Sequence, residues 1–100
     1  MVKRTLLIKA RLGLHARAAA KLVRVASSFR SRVTLCRLDG PSGSNVSADA
    51  KSILSVLMLA ASCGTELQAS AEGIDEEAAI DAVDRLFADG FGEMEPESSL

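Results

Sequence analysis

Leu6 and Ile8 alternate with Thr5, Leu7 and Lys9, a period of two that predicts a first strand with a buried face. After Gly13 the period lengthens: Ala19, Leu22, Val23 and Ala26 recur at helical spacing. A helix is therefore expected over about 16–28, with Lys21, Arg24 and Ser28 facing out. Val33 and Leu35 against Thr34 and Cys36 predict a second strand, and a short third one is expected around 46–48. Between them, the run from Leu38 to Asn45 is rich in turn formers and reads as a loop. A second helix is expected over about 52–62, ended by Gly64 in a left-handed cap. Leu67, Ala69 and Ala71 alternate with Glu66, Gln68 and Ser70 as a fourth strand. Asp75 then stands where an N-cap belongs, with Glu76 and Glu77 in the favourable first turn of a last helix. Ala79, Ile80, Val83, Leu86 and Phe87 form that helix's apolar stripe, and Gly90 ends it. Residues 93–100 are polar and acidic around Pro96 and read as a disordered tail.

The predicted order is β-α-β-β-α-β-α. Half-alternating strands need only one covered face, so an α+β sheet with all helices on one side and water on the other fits them. Periodicity does not choose among two-layer folds of this kind. Residues 1–92 are expected to form a single domain, since 100 residues suffice for one core without metal or disulfide support.

Composition narrows the core. Apolar residues make up 48% of the chain but aromatics only 3%, so Leu, Val, Ile and Ala must fill the space between layers. Twelve basic and 13 acidic side chains nearly cancel, which gives no general attraction to nucleic acid or anionic membrane. The distribution says more than the sum. Before Arg37 the chain carries Lys3, Arg4, Lys9, Arg11, Arg17, Lys21, Arg24, Arg30 and Arg32 and no Asp or Glu. That suggests a positive face suited to phosphate and acidic partners; the alternative is a solvated face neutralised by the acidic last helix. Cys36 and Cys63 form no CxxC pair, so neither a zinc site nor a redox pair is indicated, and buried free thiols are expected. No run approaches the roughly 20 apolar residues that cross a bilayer, and no signal-peptide core follows Met1. A cytoplasmic protein is the simplest expectation.

The candidate chemistry lies in Gly13-Leu14-His15-Ala16-Arg17-Ala18-Ala19-Ala20-Lys21. His15, the only histidine, stands where an extended segment becomes a helix, and a neutral imidazole nitrogen is a nucleophile near neutral pH. The orphan backbone N–H groups of the first turn, at Ala16 and Arg17, point back toward His15, so an anion on the imidazole meets them and the helix dipole. Arg17 adds a permanent guanidinium charge. Together these residues suit a phosphorylated histidine. A lone histidine at a helix start is otherwise only a polar cap.

Gly-Leu-His-Ala-Arg before an alanine-rich helix, followed by Ala50-Lys51-Ser52-Ile53 opening a second apolar helix, resembles HPr, the histidine-containing phosphocarrier family of the bacterial phosphotransferase system. The resemblance covers about residues 3–86. It implies an open-faced β-sandwich, a four-stranded antiparallel sheet covered on one face by three helices. It also implies that His15 is phosphorylated and that Arg17 is its partner. Ala18 stands where most of the family has proline; both residues suit a helix start. The alanine-rich helix and the ending from Leu86 to Gly92 look more like the nitrogen-related branch than the sugar-transport branch.

Ser52 reads as the N-cap of the second helix, and the resemblance matches it to a serine that a kinase modifies in some bacteria. If Ile53, Val56 and Leu59 or Ala60 face inward, Leu54 and Leu57 are surplus and mark a protein interface; the alternative, stronger for Leu57 than for Leu54, is that they pack under the first helix. The resemblance implies a docking face that adds Ala20 and Arg24 of the first helix and Ile53 to those two. The implied partners are phosphorylated enzyme I as donor and an enzyme IIA-type acceptor, with a serine kinase acting on Ser52 as a further candidate. No metal or organic cofactor is called for. The rival reading is a regulatory interaction module whose binding is set by phosphorylation of His15 or Ser52. Nucleic-acid binding lacks strand aromatics for stacking, and a small-ligand site lacks a Gly-rich loop.

Overall fold

The computed structural model describes residues 1–37 and 46–92; the expected loop 38–45 and tail 93–100 lie outside the described residues. Four strands, β1 (Val2–Leu7), β2 (Arg32–Arg37), β3 (Val46–Asp49) and β4 (Glu66–Glu72), form one antiparallel sheet in the order β1-β4-β2-β3. Three helices, α1 (Ala16–Ser27), α2 (Ile53–Met58) and α3 (Glu76–Ala88), complete an α+β fold. A turn, Gly90–Gly92, follows α3.

The period-two pattern sets the register. Leu6 stands opposite Leu67, Leu35 opposite Ala69 and Ala48, and Val33 opposite Ala71, so all the dry side chains share one face. The other face carries Lys3, Thr5, Arg32, Ser47, Asp49, Glu66 and Glu72, all exposed. A one-residue slip would exchange the two sets, so burial of one face fixes the pairing.

The helices cover the dry face. Ala18, Ala19, Leu22 and Ala26 of α1 are buried, as are Ala79, Ile80, Val83 and Phe87 of α3. Val23 and Leu86, expected inside, are half-buried and pack against the edge of the core. Phe87 and Phe91 stack tilted in that core with centroids 4.8 Å apart. Arg4, on the helix side of β1, bonds Asp81 and Asp84 of α3 at 2.9 and 3.0 Å. For this one cation, neutralisation by the acidic last helix is the correct account.

Three local expectations need correcting. The second helix ends at Met58, well before Ser62, because Ala60 turns left-handed with φ 51°. Gly64 also has positive φ, yet it shapes the turn into β4, donating its N–H to the Ile8 carbonyl at 2.8 Å. Asp75 precedes α3 but makes no side-chain cap; its carboxylate turns away to accept from the backbone of Arg30 and Ser31, each at 2.9 Å, and from the Ser31 hydroxyl. Glu76 takes over at that helix end, accepting from Gly73 N–H at 3.0 Å. The thiols also differ from expectation: Cys36 is half-buried on the open sheet face and Cys63 is exposed.

Candidate functional site

His15 is set in place from below. The chain leaves β1, and Ile8 exchanges backbone hydrogen bonds with Thr65 (3.0 Å) and Gly64 (2.8 Å), tying the segment to the turn before β4. Gly13 closes a turn on Ala10 at 2.9 Å with φ +69°. A Cβ there would lie 2.6 Å from the Ala61 carbonyl oxygen and 2.9 Å from Ser62 Cα, so the position demands glycine on two counts. Leu14 then donates to the same Ala61 carbonyl at 3.0 Å and buries its side chain. Two backbone contacts on the 61–62 segment therefore fix the residues just before His15.

His15 itself is the N-cap of α1. Its backbone is extended (φ −85°, ψ −177°), its carbonyl accepts the first helical bond from Ala19 at 2.8 Å, and its Nδ1 accepts from the Arg17 N–H at 3.3 Å. An Nδ1 that accepts a hydrogen bond carries the ring's lone pair, which leaves the proton of a neutral imidazole on Nε2. The nucleophilic nitrogen thus points at the positive end of a twelve-residue helix. That helix has no acidic residue in its first turn. Ala16 and Arg17, the first two residues of the helix, are both exposed. An anion reaching Nδ1 would find a helix end, a guanidinium group and no competing carboxylate on α1.

The expected docking residues fall on two packed helices, α1 and α2. Arg24 is exposed and Ala20 half-buried on α1. Among the described residues neither Arg17 nor Arg24 makes an ion pair. Lys21, expected to face water, instead donates to the Phe91 carbonyl at 2.7 Å, which draws the last turn onto α1. On α2, Leu54 is 68% exposed and Leu57 is half-buried against the core. Ile53 points out, 44% exposed, where the pattern had turned it inward; six residues are too few to give α2 a second buried row beside Val56. Met58, 70% exposed, was not singled out, although it lies four residues after Leu54 on the same helical face. Ile53, Leu54 and Met58 make a small apolar surface with Ser52 at its edge. Ser52 caps α2, its Oγ accepting from Ser55 N–H at 3.3 Å. Among the described residues, no group of three or more His, Cys, Asp or Glu could hold a metal ion.

The sequence and the fold both match known proteins. A family model described as "PTS HPr component phosphorylation site" matches residues 2–89. Phosphocarrier protein HPr of Treponema pallidum is 43% identical over 93 residues, 93% of this chain and 99% of that protein. Phosphocarrier protein NPr of Proteus mirabilis is also 43% identical, over 90% of this chain and 94% of that protein. A crystal structure of HPr-C-His from Thermoanaerobacter tengcongensis superposes with a TM-score of 0.80 at 40% identity, covering 95% of this chain and all of that one.

Proposed function

Because the chain belongs to the HPr family of the phosphotransferase system, a family of phosphocarriers, we propose that His15 is the residue that carries its phosphoryl group. The observation that carries this reading is the placement of His15 Nδ1 against the Arg17 amide at the start of α1.

In the proposed reaction the Nδ1 lone pair attacks the phosphorus held on a histidine of enzyme I. The new N–P bond forms as the donor's N–P bond breaks, and the proton stays on Nε2 throughout. Transfer displaces the Arg17 amide from Nδ1. The amide, with that of Ala16, then donates to the phosphoryl oxygens instead. Arg17 offsets the charge that spreads over those oxygens in a loose transition state. Because His15 is only half-buried, the phosphoryl group stays reachable, and an enzyme IIA-type histidine takes it by the same exchange in reverse.

We place both encounters on Ala20, Arg24, Ile53, Leu54 and Leu57, a basic and apolar surface that suits acidic partners with an apolar patch. Among the described residues no helix is long and apolar enough to cross a membrane, which suits a carrier that diffuses between partners in the cytoplasm. The HPr of Treponema pallidum and the NPr of Proteus mirabilis are both 43% identical to this chain, so these two identities do not separate the sugar and nitrogen branches.

A second reading rests on Ser52. Its hydroxyl borders the exposed apolar surface of α2, so a phosphate there would add about two negative charges to the docking face and turn partner binding up or down.

The test is intact mass after incubation with enzyme I, magnesium and phosphoenolpyruvate. One acid-labile phosphate is expected on the parent and none on His15→Ala. A parent left unmodified by an enzyme I that charges another HPr overturns the carrier reading.

A further inference from the structure

Helix α2 stops in an unusual way. Left-handed C-terminal residues are usually glycine, because a Cβ there meets the following carbonyl, yet here the residue is Ala60 at φ 51°. The helix carries no basic residue in its own last turn to hold its orphan carbonyls. The cation comes from the sheet. Arg37, at the end of β2 and half-buried, donates from Nη1 to the Leu59 carbonyl at 2.9 Å and to the Ala60 carbonyl at 3.0 Å.

Those two carbonyls belong to the peptide planes on either side of the Ala60 Cα. Fixing both planes fixes the two torsions of Ala60, so one guanidinium nitrogen holds a residue in a conformation it does not favour by itself. The next residue is Ala61. Its carbonyl accepts the Leu14 N–H at 3.0 Å and is the oxygen that Gly13 approaches too closely for any Cβ. A continuous series of contacts thus runs from Arg37 through Ala60 and Ala61 to the turn that delivers His15 to the start of α1.

We propose that Arg37 is a positioning residue for phosphoryl transfer: by holding Ala60 left-handed it sets the 61–62 segment and so the placement of His15 Nδ1 against the Arg17 amide. The inference rests on the reading of His15 as the phosphoryl carrier. Arg37 does not touch the reacting atoms; it acts through backbone geometry. The guanidinium charge also suits the negative end of α2, which adds to its hold on the turn.

The test compares the full chain with Arg37→Gln, Arg37→Lys, and Arg37→Gln combined with Ala60→Gly. The transfer rate at saturating phosphorylated enzyme I and the donor concentration at half-maximal rate are measured separately. Arg37→Gln is expected to lower the saturated rate about 10-fold with little change in half-saturation, since a misplacement of roughly 1 Å can cost on the order of 100-fold. Arg37→Lys should recover part of that rate through its retained charge and donor. Ala60→Gly should also recover part of it, because glycine adopts the left-handed turn unaided. The amide resonances of Leu14 and His15 should shift in Arg37→Gln and return toward the parent in the double variant.

A lower melting temperature with an unchanged saturated rate would reduce Arg37 to a merely structural role and overturn the proposal. So would a change in half-saturation alone, which would place its effect on docking. If the parent accepts no phosphate, the carrier reading fails by itself. The amide shifts then decide the positioning claim: unmoved Leu14 and His15 resonances in Arg37→Gln overturn it.

Discussion

The starts of α1 and α3 are built alike and charged oppositely. Each follows a glycine at positive φ pressed onto another segment's backbone: Gly13 on Ala61 and Ser62, Gly73 on Ser31, where a Cβ would lie 2.7 Å from the Ser31 Cα. Each therefore begins from a firmly seated turn. At α3, Glu76 and Glu77 occupy the first turn and supply the negative charge the helix end attracts. At α1 there is no acid in the first turn, and Arg17 adds to the positive end. One helix end is neutralised by acids of its own first turn, while the first turn of the other offers none, as the proposed phosphoryl acceptor requires. What makes a helix start a site is less the backbone geometry, which both share, than the charge the local sequence withholds.

Removing the shared seat should give the largest effect. Gly13→Ala and Gly73→Ala are each expected to cost about 2–4 kcal/mol through left-handed strain and backbone collision, read as a lower urea midpoint at unchanged slope. Only Gly13→Ala should also slow phosphoryl uptake by the folded fraction. Equal slowing in both variants would mean that global stability, and not the seat of His15, governs transfer.

Making α1 resemble α3 comes next. Ala16 is exposed, so Ala16→Glu adds a carboxylate to the first turn without disturbing packing. Phosphorylation of His15 is expected to slow about 10-fold, equivalent to roughly 1.4 kcal/mol, while the helix gains a few tenths from the dipole. Stopped-flow transfer from enzyme I at low and high salt would show the gap closing as screening rises. An unchanged rate would remove the electrostatic half of the comparison.

Ser52→Ala tests a helix start of the third kind, capped by a neutral hydroxyl. A loss of about 1 kcal/mol is expected from the missing cap, with His15 phosphorylation unaffected. The smallest effect belongs to acid. The hydrogen bonds from the Ser31 hydroxyl and the Arg30 backbone hold the Asp75 carboxyl below its ordinary value of 3.8. A depressed carboxyl stabilises the fold fully above its unfolded pKa, and that contribution fades as pH falls through the folded value. Asp75→Asn should therefore narrow the difference in melting temperature from the parent as pH drops below about 4. A gap that stays constant with pH would mean the charge of Asp75 contributes nothing.

Much of this was legible in the chain because it is local. Alternation around Leu35 and Leu67 gave the strands and their dry face, and the 3.6-residue spacing of Ala19, Leu22 and Ala26 gave the inward side of α1. The meeting of His15 with the Arg17 amide was legible for the same reason, the two being two residues apart at one helix start. What escaped depends on partners distant in sequence. Nothing near Ala60 announces a left-handed stop, since its support comes from Arg37, 23 residues earlier along the chain. Asp75 carried a capping signal, but the Arg30 and Ser31 amides outcompeted its own helix, and only the packed fold brings those groups together.

The bond from Lys21 to the Phe91 carbonyl has a practical side. It brings Gly92 to the flank of α1, where a Cβ on it would lie 3.4 Å from the Lys21 Nζ. Met1 lies at the other end of β1, where its amino group meets a half-buried Glu76 at 3.2 Å. Affinity tags, fluorophores and fused partners belong at Met1.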